Sequence, residues 1–124
     1  MTRTAVVTGS SSGIGAATKR ALEADGFSVF GIDLHGTDLD ADLGTPNGRA
    51  LAIAQAMDFC GGTLDALVPC AGLSGLPDRP GSLLASINYF GTVDLIVGLK
   101  AALQASGAAS VVAISSNSTT IQPG

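Results

Sequence analysis

The sequence predicts an α/β domain: a parallel sheet, in the strand order 3-2-1-4-5, with helices on both faces. Three observations support this. Short apolar runs rich in β-branched residues alternate with longer helical patterns. The chain is 46% hydrophobic with only 4% aromatic residues, so Ala, Val, Ile and Leu do the packing. Small aliphatic side chains suit helices laid closely on a sheet buried on both sides. Finally, the first apolar run ends in a glycine cluster and passes directly into an alanine-rich helical pattern.

Residues 4–9, TAVVTG, read as the first strand, and 13–26 as a helix that stops at Gly26, with Ile14, Ala17, Ala21 and Leu22 on its apolar face. Residues 27–34 form a second strand, and a short third is expected around Asp40 to Leu43. A helix follows over 45–62, opened by Thr45 and Pro46 and closed by Gly61 and Gly62. Residues 64–72 form the fourth strand, 73–82 a loop, 82–107 a long helix and 109–116 the fifth strand. On the long helix Leu84, Ile87, Gly91, Leu95, Gly98 and Ala102 share one face, while Phe90, Val93, Ile96, Val97 and Leu99 extend the apolar surface around it. Such a helix is expected to be covered on more than one side. Alternating strands and helices imply right-handed crossovers, with a ligand crevice where the strand order reverses, between strands 1 and 4.

The 124 residues suit one domain, residues 1–124. A net charge of −4 and the lack of a basic run argue against nucleic acid and anionic membranes as partners. No apolar stretch approaches the ~20 residues of a membrane helix, and the N-terminal apolar segment is short for a signal peptide. Cys60 and Cys70 are therefore expected as thiols in a cytoplasmic protein. With His35 as the one histidine and no ligand-spaced cysteines, a metal site is not expected.

The glycine cluster carries the functional reading. A helix N-terminus presents unpaired N–H groups and about half a positive charge, which suits a pyrophosphate. Gly9, Ser11, Ser12, Gly13, Ile14 and Gly15 form the loop that would cradle it, with Ser10, Ser11 and Ser12 adding hydroxyl donors. A side chain at Gly13 or Gly15 would hold the phosphates off or push the helix from the sheet. Asp33, about 20 residues further on, closes the second strand with Leu34 beside it, placed to accept hydrogen bonds from an adenosine ribose. This is the pattern of a Rossmann-type dinucleotide fold. Asp33 repels a 2′-phosphate and the loop holds no basic residue, so NAD is expected rather than NADP.

The loop reads Thr-Gly-x-x-x-Gly-x-Gly from Thr8 to Gly15, and in this form it resembles the short-chain dehydrogenase/reductase family. Four later segments agree, and within the family the likeness runs to a bacterial hydroxysteroid dehydrogenase/carbonyl reductase group. ADL (41–43) implies Asp42 at the adenine amino group and the Leu43 backbone at its ring. CAG (70–72) implies Cys70, Ala71 and Gly72 beside the cofactor, with Cys70 where the family has Asn. INYFG (87–91) implies a catalytic Asn88, and VVAISS (111–116) a catalytic Ser116. The resemblance implies NAD-dependent interconversion of a secondary alcohol and a ketone, on a steroid-like or other hydrophobic carbonyl substrate, by a homodimer or homotetramer. The family's proton exchange needs Tyr-x-x-x-Lys after the serine. Tyr89 is the one tyrosine here and Val93 stands four places on. The 124 residues are accordingly expected to be inactive alone and to form the N-terminal part of a longer domain. The alternative is a non-catalytic NAD-binding module or sensor subunit.

Overall fold

The computed structural model describes residues 2–70 and 89–113. Within them the strands are β1 (Thr4–Thr8), β2 (Ser28–Asp33), β3 (Leu39–Asp40), β4 (Ala66–Pro69) and β5 (Ser110–Val111). The helices are α1 (Gly13–Ala24), α2 (Pro46–Cys60), α3 (Gly91–Gly98) and α4 (Lys100–Ser106). The strands pair in parallel in the order β3-β2-β1-β4-β5, as the alternation predicts.

β1 is central, and its side chains alternate between two cores. Val6, with Leu67 and Ile32, faces α2, α3 and α4, where Leu64, Leu95, Leu99 and Ala102 are fully buried. Ala5 and Val7, with Val29, Ala66 and Val68, form the second core against Leu22 and Phe27. Arg49 of α2 crosses to Asp94 of α3 at 2.7 Å and donates to the Leu43 carbonyl at 3.1 Å, joining two helices and a loop through one guanidinium. No helix among the described residues is long and apolar enough to cross a membrane.

Four expectations need correction. Of the expected α1 face, Leu22 packs against the sheet as expected, but Ile14, Ala17 and Ala21 are exposed and Gly15 is the residue buried there. The helix is rotated by one residue because Gly15, lacking a side chain, can lie on the backbone at the end of β1. β3 covers Leu39–Asp40 and not 40–43, because Asp42 is engaged in the turn that starts α2. The long helix is interrupted at Leu99, next to Gly98, which is closely faced by Ile53. Its Val97 is 66% exposed, so among the described residues the helix is covered on one side only. Among the described residues β5 covers Ser110–Val111 and not 109–113; it is exposed and paired with Ala66 and Leu67, and residues 114–116 of the expected strand lie outside the described residues.

Candidate functional site

The site forms where the carboxyl ends of β1 and β2 meet the start of α1. β1 stops at Thr8, and the Gly9 N–H continues the ladder to the Ile32 carbonyl at 2.8 Å. The chain then turns through Ser10–Ser12 into α1. Gly13 opens the helix at φ +58°, a left-handed conformation that L side chains rarely adopt. A Cβ at Gly13 would meet nothing within 4 Å, so that side of the loop is open. At Gly15 the opposite holds. A Cβ there would run into the Gly9 carbonyl, so glycine is what lets the helix start close to β1.

The helix start is left open to an anion. Ser12 is the N-cap residue and makes no side-chain cap bond, and the first turn has no acidic residue. The neighbouring hydroxyls point elsewhere. Ser10, 5% exposed, pairs its Oγ with Thr37 Oγ1 at 2.6 Å. Its hydroxyl is engaged with a turn residue here, away from the start of α1. Ser11 donates from Oγ at 2.5 Å and from its N–H at 3.1 Å to Asp33 Oδ2. The Leu34 N–H donates to Asp33 Oδ1 at 2.7 Å.

Asp33 thus stands at the glycine loop with its carboxylate held by named donors. Partial burial pushes its pKa upward. The bonds from Ser11 and Leu34, with the nearby charge of His35, outweigh burial and hold it below the ordinary carboxylate value. It is an ionised acceptor beside an open helix N-terminus. A backbone cradle lacking side chains and a carboxylate at the end of the second strand fit the phosphates and ribose of a dinucleotide.

The structure brings together Gly9, Ser11, Ser12, Gly13, Ile14, Gly15, Asp33 and Leu34. Ile14 and Leu34, 62% and 57% exposed, are the apolar side chains there. Asp42 lies further along, past β3. Its Oδ1 accepts the Gly44 N–H at 2.9 Å and its carbonyl accepts the Thr45 hydroxyl at 3.0 Å. Leu43 is buried in the core. Cys70 follows β4, its thiol pKa raised by burial against a weaker opposing bond from Thr18, so it favours the neutral thiol. Ala71, Gly72, Asn88 and Ser116 lie outside the described residues. Thr37 has no motif to mark it and escapes a reading of the sequence; its one sequence signal is a hydroxyl in the turn after Asp33.

Comparison with protein-family models finds no match. Individual proteins do match. The chain is 40% identical over 111 residues to the 3-alpha-hydroxysteroid dehydrogenase/carbonyl reductase of Comamonas testosteroni, covering 90% of this chain and 43% of that protein. It is 42% identical to the 3-alpha-hydroxysteroid dehydrogenase from Pseudomonas sp. B-0831, solved in complex with NADH, with a TM-score of 0.81 over 94% of this chain and 49% of that one. An oxidoreductase of the short-chain dehydrogenase/reductase type from Brucella ovis superimposes with a TM-score of 0.76 at 28% identity, covering 88% of this chain and 59% of that one. The chain spans about half the length of the proteins it matches. Along nearly its whole length, in sequence and in backbone, the chain is thus similar to the N-terminal half of short-chain dehydrogenase/reductase proteins.

Proposed function

We propose that residues 1–124 form the dinucleotide-binding part of an NAD-dependent oxidoreductase that interconverts a secondary alcohol and a ketone, on a steroid-like or other hydrophobic carbonyl substrate. The observation that carries the reading is Asp33, ionised and hydrogen-bonded to the loop that opens α1. The names of the relatives support it: one is a hydroxysteroid dehydrogenase/carbonyl reductase and another was solved with NADH.

In this reading the α1 N-terminus and the bare backbone at Gly13 receive the pyrophosphate. Asp33 accepts from the adenosine ribose, sharing or exchanging its bond from Ser11, and its charge disfavours a 2′-phosphate. Asp42 and the Leu43 backbone serve the adenine, and Cys70, Ala71 and Gly72 flank the cofactor. The nicotinamide supplies hydride acceptance and donation. Ser116 hydrogen-bonds the substrate oxygen and Asn88 supports a proton-relay water. The general acid/base, a group typically worth ~10²–10⁴-fold in rate, is assigned to a Tyr-x-x-x-Lys outside this stretch. The whole protein is placed in the cytoplasm as a homodimer or homotetramer.

A second reading is a non-catalytic NAD-binding module or sensor subunit, which the glycine loop and Asp33 would serve equally well. Titration of the full-length protein with NADH and NADPH, followed by NAD⁺ reduction assays on secondary alcohols including a 3α-hydroxysteroid, separates the two. NADH preference with turnover is the expected result. Binding without turnover selects the module, and failure to bind either nucleotide overturns both.

A further inference from the structure

Consecutive serines of the glycine loop hold both ends of the segment after β2. Ser11 binds Asp33 at its start, and Ser10 binds Thr37 at its end. Between these anchors lie Leu34, His35 and Gly36, all exposed. The Ser10–Thr37 pair meets over Gly31 of β2, where a Cβ would run into both hydroxyl oxygens. A strand glycine loses side-chain packing and conformational entropy, and here its bareness makes room for the pair. The next residue reinforces the closure. Asp38 accepts the Gly31 N–H at 2.8 Å and faces Lys19 of α1 at 3.8 Å, and Lys19 also reaches Glu23 at 3.3 Å. The segment after Asp33 is therefore fastened to the glycine loop, to β2 and to α1 at once.

We propose that the Ser10–Thr37 hydroxyl pair is a positioning clasp: it sets the Asp33 carboxylate relative to the α1 N-terminus, and so sets the affinity and selectivity of nucleotide binding. The proposal rests on the dinucleotide-binding reading above. A dinucleotide must touch the helix start with its phosphates and Asp33 with its ribose at the same time. Fixing the two beforehand removes an ordering cost from binding. Neither Ser10 nor Thr37 needs to touch the ligand. Ser10 is buried, and both hydroxyls are committed to one another.

The test is titration of the full-length protein with NADH and NADPH, well below its unfolding temperature, for wild type, Ser10→Ala, Thr37→Val, the double variant and Thr37→Ser. Each single variant should weaken NADH about 3–10-fold, the range of one net hydrogen bond. The double variant should weaken it no further than the worse single, because both remove the same interaction. The NADH-to-NADPH affinity ratio should fall, and Thr37→Ser should restore both quantities to within about twofold of wild type. Lowered melting temperatures with unchanged affinities and ratio would overturn the clasp and leave the dinucleotide reading standing. A wild-type protein that binds neither nucleotide would overturn that reading and the clasp with it.

Discussion

α1 and α2 both begin at the carboxyl edge of the sheet, and their starts are built in opposite ways. α2 closes its own. Thr45 accepts the Gly48 N–H at 3.0 Å, Pro46 occupies the first turn, and Asp42 takes the Gly44 N–H. α1 follows three consecutive serines, good capping residues by type, yet none caps it: Ser10 and Ser11 turn to Thr37 and Asp33, and Ser12 makes no cap bond. Forgoing a cap costs about 1 kcal/mol. The difference teaches that α2 is finished by its own side chains, whereas α1 starts uncapped beside an acidic residue held by a loop hydroxyl, the arrangement the proposed dinucleotide site needs.

The largest effects should come from the glycines of α1, and two of them should separate. Gly15→Ala drives a methyl group into the Gly9 backbone. We expect a loss of about 1–3 kcal/mol in urea denaturation together with loss of NADH binding. Gly13→Ala meets open space but strained backbone at φ +58°. It should cost about 1 kcal/mol and still abolish NADH binding, because its methyl group occupies the ligand's side of the loop. If Gly13→Ala binds NADH normally, the open face of the loop is not the phosphate site. Next in size is Asp33→Asn, which keeps the shape and removes the charge. A hydrogen bond to a charged group is worth about 1.5–3 kcal/mol, so NADH should bind about tenfold or more weakly and the preference over NADPH should shrink. Thr45→Ala is smaller and of another kind. Losing this cap should cost about 1 kcal/mol and leave the NADH dissociation constant within about twofold. A larger change in affinity would make the α2 start part of the site and break the contrast.

Much of this was legible in the sequence because it depends on short-range chemistry. Thr45, Pro46 and Gly61 mark the ends of α2 by residue type, and Gly61 adopts the left-handed conformation its position suggests. Asp33 was legible as the acidic end of a strand. The setting of α1 was not. Ala16, Ala17 and Ala21 make its faces nearly alike, so a rotation of one residue changes the apolar pattern little, and the close fit of Gly15 on Gly9 decides it. The length of β3 was not legible either, because hydrogen bonds of the following turn outcompete the ladder. The Ser10–Thr37 pair and the Arg49–Asp94 bridge join residues distant in sequence. Side-chain pairs of this kind leave no periodic trace.

Acid should distinguish the two ends of the sheet by a smaller effect. Asp33 at the carboxyl end and Asp65 at the amino end both have lowered pKa values. For Asp65 the cause is the Thr4 N–H at 2.8 Å, then the Ser106 hydroxyl at 2.7 Å. A carboxyl group whose pKa is lower in the folded than in the unfolded chain favours folding when ionised. Its contribution is complete above the ordinary carboxylate range and fades as pH falls through the lowered native value. Urea midpoints followed from neutral pH into that acid range should therefore fall, and Asp33→Asn and Asp65→Asn should each flatten part of the decline. The ligand separates the two. NADH binds the folded chain alone and raises its stability by mass action. Asp65→Asn should keep the full increment, since Asp65 ties β1 to β4 and α4 far from the glycine loop. Asp33→Asn should lose about 1.4 kcal/mol of it for each tenfold loss of affinity, because the group that supplies part of the acid sensitivity there is also the group proposed to hold the ribose.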